Sequence, residues 1–293
     1  MNQETRRSVV ASLLSVVVGV AITWAGSQHG RLVAGIPVFA LCAVLAFAIN
    51  WIVFVPAYLL QTERYFDLAG SFTYVALIAV ALRATESPSP RALLLAGLVV
   101  VWTVRLGSFL FDRILREGTD GRFDRLKPSA TRFFMSWTLQ GFWVLLTLSC
   151  ALATITSVRS APLGALGGVG AVIFVLGFVI EVTADRQKRR FRANPKNFGR
   201  FIPSGLWAWS RHPNYFGEIV LWSGIALIAL PGLSGWQHVT LISPVFVYLL
   251  LTRVSGIPLL ETRATQKWGQ DPDYCAYRER TPVLFPRPPR ARR

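Results

Sequence analysis

An all-α, polytopic integral membrane bundle of seven to eight transmembrane helices is the fold class that this chain predicts, on three observations. Of its 293 residues, 53% are hydrophobic and only 16% are charged, against about 45–50% and about 25% in an average soluble domain. The apolar residues gather in stretches of about 20, enough to cross a hydrocarbon core of about 30 Å as helix. The connections between them alternate between arginine-dense and arginine-poor, as expected when Lys and Arg mark the cytoplasmic side. A disordered basic chain lacks such apolar content, and disorder is excluded.

Eight spans are predicted, at 8–26, 37–60, 68–84, 91–112, 133–156, 163–185, 214–231 and 237–257. Each is apolar all round, unlike a surface helix with one polar face. The first follows Arg6 and Arg7 and mimics a signal peptide. It lacks a small-residue cleavage site and is read as a retained anchor. The sixth overruns the membrane: its helical pattern extends to about 192, and at 1.5 Å per residue the helix from 163 is about 45 Å long. Its last turns therefore stand in the cytoplasm.

The loop charges agree with an even number of spans. Counting Arg6, Arg7 and Arg64 with segments 113–132, 186–211 and 253–293, the expected cytoplasmic side holds 26 of the 31 Lys and Arg. The other side holds Arg31, Arg83, Arg91 and Arg159, and Arg105 lies inside a span. Both termini are thus expected on the cytoplasmic side of the membrane. The net charge of +16 is mostly topology and gives no ground for nucleic-acid binding. Topology leaves unexplained why three cytoplasmic segments are so dense in arginine, a density that suits a polyanionic ligand or anionic headgroups.

Cys42, Cys150 and Cys275 have no metal-ligand spacing, so neither a zinc site nor a disulfide framework is expected. No Walker loop, GxGxxG or fixed-period repeat is visible, which excludes a Rossmann domain as nucleotide site. On the extension of the sixth span, Glu181, Asp185, Arg189 and Arg192 recur at i, i+4, i+8 and i+11 and share one helix face. Ordinary helix-end electrostatics also produce this pattern. The stretch 194–207 is punctuated by Gly and Pro, yet it and the adjoining residues carry Phe198, Phe201, Trp207 and Trp209. Four large aromatics suit a loop folded onto the membrane surface or over a ligand, and an interfacial belt explains them too. Next, Ser210-Arg211-His212-Pro213-Asn214-Tyr215-Phe216-Gly217-Glu218 leads into the seventh span. Its helix start offers free N–H groups that favour anions, Asn214 and Glu218 point to one side, and a Glu here suits a cavity better than lipid. His29 and His238 read as interfacial.

The run from Gly205-Leu206-Trp207 to Glu218, preceded by the Asp185/Arg189/Arg192 helix, resembles the C-terminal half of the steroid 5-alpha-reductase superfamily, within it the bacterial branch of membrane proteins. The resemblance covers about 181–285. A weaker one covers about 50–125, where Gln61-Thr62-Glu63-Arg64-Tyr65-Phe66-Asp67 and Trp102-x-x-Arg105 are similar to substrate-side motifs. It implies a reductase that takes hydride from NADPH and adds it to a carbon–carbon double bond conjugated with a ketone, for example in a 3-oxo-4-ene steroid. The cofactor side is then Asp185, Arg189, Arg192, Asn214 and Glu218, completed by Asn197, Arg211, His212, Tyr215 and Glu261. Gln61, Trp102 and Arg105 fall on the substrate side. Because negative charge develops on the ketone oxygen, a donor is needed there. Glu63, kept protonated by a dry pocket, is the first candidate and Tyr65 the second. The chain departs from the family pattern where Thr62 splits the glutamine–glutamate pair and Trp102 replaces a tyrosine; an indole donates a hydrogen bond but no proton.

The chain is expected to form one membrane catalytic domain, with N-terminal helices over 1–60, substrate-side helices over 61–180, a cofactor-binding part over 181–285 and a basic Pro/Arg tail over 286–293. The lipophilic substrate enters from the bilayer. A rival class shares the Arg211-to-Tyr215 signature, Glu261, Tyr274 and Tyr277: membrane methyltransferases of the isoprenylcysteine carboxyl or phospholipid type, which use S-adenosylmethionine. That cofactor has no phosphate, so it has no use for an arginine clamp. A transporter is disfavoured, because no internal repeat is visible.

Overall fold

The computed structural model describes residues 3–289; residues 290–293 of the expected basic tail lie outside them. The described residues are 76% helical. Its first four helices are α1 (Gln3–Ser27), α2 (Val38–Leu59), α3 (Phe66–Arg83) and α4 (Pro90–Glu117). They are followed by α5 (Ala130–Thr156), α6 (Gly164–Ala193), α7 (Pro213–Ala229), α8 (Ile242–Leu249), α9 (Gly256–Trp268) and α10 (Pro272–Arg280). Eight helices among the described residues are long and apolar enough to cross a membrane, and the protein is an integral membrane protein. The only strands among them are β1 (Leu32–Val33) and β2 (Ile36–Pro37), a two-residue hairpin turned through Ala34 and Gly35 at φ 51° and 79°, both in the left-handed region that a tight hairpin turn requires.

Two compact units form. The first comprises Met1–Gly167 and Ala226–Ser243, the second Gly168–Ile225 and Pro244–Arg293.

In the first unit α5 is the central helix. It packs against α1, α2, α3 and α4 and is buried along almost all of its second half, from Val144 to Thr156. Three buried amide and hydroxyl side chains at its middle pair with one another: Gln140 Nε2 donates to Asn50 Oδ1 (3.1 Å) and to Phe66 O (2.7 Å), and Asn50 Nδ2 donates to Thr73 Oγ1 (3.3 Å). In an apolar medium such groups are costly to leave unpaired.

In the second unit α6 and α7 pack through glycines. A Cβ on Gly177 would lie 2.6 Å from Gly217 O, one on Gly217 2.7 Å from Glu181 N, and one on Gly224 2.6 Å from Gly170 O. Small residues at such a seam let two membrane helices approach backbone to backbone. The eighth span also differs from its expected end at 257. A π-helical turn at Leu250–Val254 joins α8 to α9, which carries the helix on to Trp268. A π turn adds a residue per turn and rotates everything downstream of it.

Candidate active site

In the second unit the glycine seam sets the geometry. Gly217 brings the first turn of α7 against Glu181, and Glu181 and Asp185 are buried at 3% and 7% exposure on α6. Arg189 and Arg192 follow on the same face and are exposed. The acid end of the stripe therefore packs beside the start of α7, and the cationic end projects beyond it. Segment 186–217 holds eight Lys and Arg and no acid.

Around the start of α7, His212 Nε2 pairs with Glu261 Oε1 at 2.9 Å, and Arg211 Nη1 forms an ion pair with Glu261 Oε2. The His212 ring stacks on Tyr215, with centroids 5.7 Å apart and planes 10° from parallel. Glu261 reaches this position on α9, after the π turn. There Gly256 leaves room for Tyr215, whose ring would stand 2.8 Å from any Cβ at 256. The backbone of the Arg-His pair is tied down as well: Arg211 N–H donates to Pro282 O (2.9 Å), Ser210 Oγ donates to Leu284 O (2.8 Å) and His212 N–H donates to Ser210 Oγ (3.1 Å). Two polar atoms nevertheless remain without a hydrogen-bond partner among the described residues, Arg211 Nε and His212 Nδ1. With Glu261 ionised, Nε2 carries the histidine proton and Nδ1 is an acceptor.

The aromatic stretch is partly a scaffold. Trp207 is buried, its Nε1 donates to Ala184 O (3.0 Å), and Lys188 Nζ lies 4.4 Å from its ring centre. Phe201 packs edge-on against Trp268 and Tyr274 and lies tilted against Tyr277, whose hydroxyl donates to Trp207 O (2.7 Å). Phe198 is 93% exposed. A cavity of about 390 Å³ lies between α6 and this loop, lined by Gln187, Arg190, Phe191, Asn194, Asn197 and Ile202 among others. Of the expected cofactor residues it takes Asn197, whose amide donates to Phe191 O (2.9 Å). Helical periodicity puts this cavity on the face of α6 opposite Asp185, Arg189 and Arg192.

Burial pushes the pKa of His212 below its ordinary value, although the Glu261 hydrogen bond opposes this. The unfolded chain takes up a proton near pH 6.5 that the folded chain refuses, so this stability is present above pH 6.5 and is lost as the pH falls. Between pH 7.5 and 5.5 the thermal midpoint should fall by about 2–4 °C, and His212→Gln should flatten the slope. Parallel slopes in the two proteins would refute the assignment.

In the first unit the expected protonation of Glu63 is corrected. Burial (5% exposed) raises its pKa, but Lys127 Nζ donating to Oε2 at 2.6 Å and Asp120 N–H donating to Oε1 at 2.8 Å outweigh burial. The carboxyl stays below its ordinary value and is ionised at neutral pH. Tyr65 is 49% exposed, and Gln61 is exposed at φ 52°, its side chain bonded to Tyr58 O. Trp102 is buried edge-on against Tyr74 (5.4 Å), and Arg105 lies 5.2 Å over Phe109. The sequence reading missed Lys127 and the glycine seam. The seam had a signal, since Gly170/Gly177 and Gly217/Gly224 repeat at the same spacing of seven.

Comparison with known proteins adds an independent line. The model of a family described as a protein of unknown function, DUF1295, matches residues 53–281. An uncharacterised protein of Schizosaccharomyces pombe is 25% identical over 68% of this chain and 64% of its own length. A probable 7-dehydrocholesterol reductase of Acanthamoeba polyphaga mimivirus is 29% identical over 39% of this chain and 27% of its own. A probable O-methyltransferase, ustE of Ustilaginoidea virens, is 29% identical over 35% and 34%. The chain thus spans less than two thirds of the length of these relatives. No solved structure matches it.

Proposed function

The chain belongs to the DUF1295 family, which is steroid 5-alpha-reductase-like, and from that premise we propose an integral membrane reductase that uses NADPH to reduce the carbon–carbon double bond of a lipophilic enone. One observation carries the reading: on one face of α6, buried Glu181 and Asp185 beside the first turn of α7 give way to Arg189 and Arg192. Carboxylates suit ribose hydroxyls or a carboxamide, and arginines suit a pyrophosphate and a 2′-phosphate. The two orphaned atoms fit such a ligand: His212 Nδ1 would accept from a hydroxyl or amide N–H, and Arg211 Nε would donate to an oxygen. Asn214, Tyr215, Glu218 and Glu261 complete the set, with Glu261 holding Arg211 and His212 in place. NADPH bound there would supply the hydride.

The enone side is assigned to the first unit. Ionised and held by Lys127, Glu63 cannot give up a proton at neutral pH and acts as a positioning group. Of the two candidates Tyr65 remains as donor, with Gln61, Trp102 and Arg105 as substrate-side residues. The loop charge bias supports cytoplasmic termini and cofactor entry from the cytoplasm.

The test is a thermal-shift titration of the purified protein with NADPH, NADP⁺, NADH and S-adenosylmethionine, since ligands that bind only the folded state raise its midpoint. Stabilisation by NADPH and NADP⁺ well above that by NADH is expected. Arg192→Ala should weaken NADPH about tenfold, equivalent to about 1.4 kcal/mol, and NADH little. Equal losses for both would refute a 2′-phosphate contact. The ustE likeness and the Arg211–His212–Glu261 group favour the methyltransferase as second reading; stabilisation by S-adenosylmethionine alone would establish it in place of the reductase.

A further inference from the structure

Segment 118–129, between α4 and α5, is tied at both ends to a single side chain. Glu63 accepts from Asp120 N–H with one oxygen and from Lys127 Nζ with the other. Asp120 also receives Arg122 (2.5 Å) and Arg113 (3.6 Å), and Arg113 reaches Asp67 (3.5 Å). Between the two ties the chain turns inward and inserts Phe123, the only residue of the segment that is fully buried, at 4%. Its ring lies 4.7 Å from Phe66 and 6.2 Å from Phe133, and both of those rings pack edge-on against Trp137, at 5.0 and 6.0 Å. Ala57, Phe54, Tyr58 and Leu126 close the chamber.

Phe123 fills this aromatic chamber but cannot satisfy it. Trp137 is fully buried, and its Nε1 has no hydrogen-bond partner among the described residues. A buried indole usually finds an acceptor, and leaving the donor orphaned costs free energy. A phenyl ring offers none. The strap is otherwise polar: five of its twelve residues, Asp120 among them, are Lys, Arg or Asp, and it is held by ion pairs rather than by a continuous apolar face. Apart from the Glu63–Lys127 pair, its ion pairs involve exposed side chains such as Arg122 and Asp124 and contribute little net stability, so opening the strap means breaking that one pair and withdrawing one ring.

We propose that the chamber under Phe123 is a binding site for a flat apolar molecule carrying one hydrogen-bond-accepting oxygen, with Phe123 as its built-in occupant and the Glu63–Lys127 pair as the latch. The ligand's ring replaces the phenyl ring between Phe66 and Phe133, and its oxygen accepts from Trp137 Nε1. Lifting the strap separates Lys127 and Asp120 N–H from Glu63. The inference deepens the assignment of the first unit to the enone side and rests on it, but its test reads binding without NADPH, so the two can fail separately.

The test compares fluorenone, a flat ketone, with fluorene, its hydrocarbon counterpart, by equilibrium binding to the full-length protein in detergent. Phe123→Ala should bind fluorenone at least about tenfold tighter than the wild type, as expected when a side chain that competes for the site is removed. It should prefer fluorenone to fluorene by about three- to tenfold, the range of one hydrogen bond. Adding Trp137→Phe, which keeps a ring but removes the N–H, should abolish that preference. Lys127→Gln, which opens the latch without emptying the chamber, should also tighten fluorenone binding and covers the case in which Phe123→Ala fails to fold. No gain in either opened variant overturns the proposal, as does a fluorenone preference that survives Trp137→Phe.

Discussion

Gly217→Ala should cost about 3 kcal/mol, roughly 10 °C in the thermal midpoint, and should abolish cofactor-dependent stabilisation. The added methyl carbon would stand 2.6 Å from Gly177 O and 2.7 Å from Glu181 N, and neither is the end of a side chain that can turn away. The helices α6 and α7 must separate, or α7 must rotate. Either movement takes the first turn of α7, with Arg211 and His212 just before it, out of register with Glu181. Gly177→Ala meets Gly217 O at 2.6 Å and Leu221 N at 2.5 Å and should behave alike. Gly168→Ala is the control on the same helix, because nothing lies within 4 Å of a Cβ there. Alanine stabilises a helix by about 0.5–1 kcal/mol relative to glycine, so the control should be neutral or slightly stabilising. If all three variants melt together, the seam does not set the site.

The same comparison shows what this sequence makes legible. Membrane spans are legible because hydropathy is local: the eight apolar stretches became helices, and the long sixth pattern became the 30-residue α6. The Glu181/Asp185/Arg189/Arg192 stripe follows from helical periodicity alone. Contacts between distant segments are another matter. Glu63 can be named as a candidate from its motif, but its protonation depends on Lys127, 64 residues away, and nothing near either residue announces the other. The end of the eighth span was misplaced for a different reason. Apolar composition stops near 257 while the helix continues as the polar α9, re-aimed by a π turn that hydropathy does not register. Glu261 gains its partners through that turn. Candidate residues can thus be named one by one from the sequence, but the backbone that brings Arg211, His212 and Glu261 together cannot.

Arg91→Ala should be the most damaging single change in the first unit, costing about 3 kcal/mol through lost hydrogen bonds and a cavity. In the sequence Arg91 is indistinguishable from Arg83, a cation expected on the same sparse side. In the structure Arg83 is exposed, whereas Arg91 is 1% exposed and no carboxylate pairs with it among the described residues. Its guanidinium is instead surrounded by carbonyls: Nε donates to Ala161 O (3.3 Å), Nη2 to Pro162 O and to Leu163 O (2.9 Å), and Nη1 to Ile228 O. Ile228 lies in the last turn of α7, where carbonyls lack helical partners and a cation meets the negative end of the dipole. One planar fork thus satisfies the end of a helix and the connection between α5 and α6. Truncation leaves four carbonyls, that of buried Ile228 among them, to find other partners, and a cavity of arginine size. Arg91→Lys keeps the charge but loses the fork and two of its donors, so its loss should be intermediate. Arg83→Ala should be close to neutral. Thermal melts of the three variants check the order, and an Arg91→Ala melt coincident with that of Arg83→Ala would mean that the carbonyl cage contributes nothing to the fold.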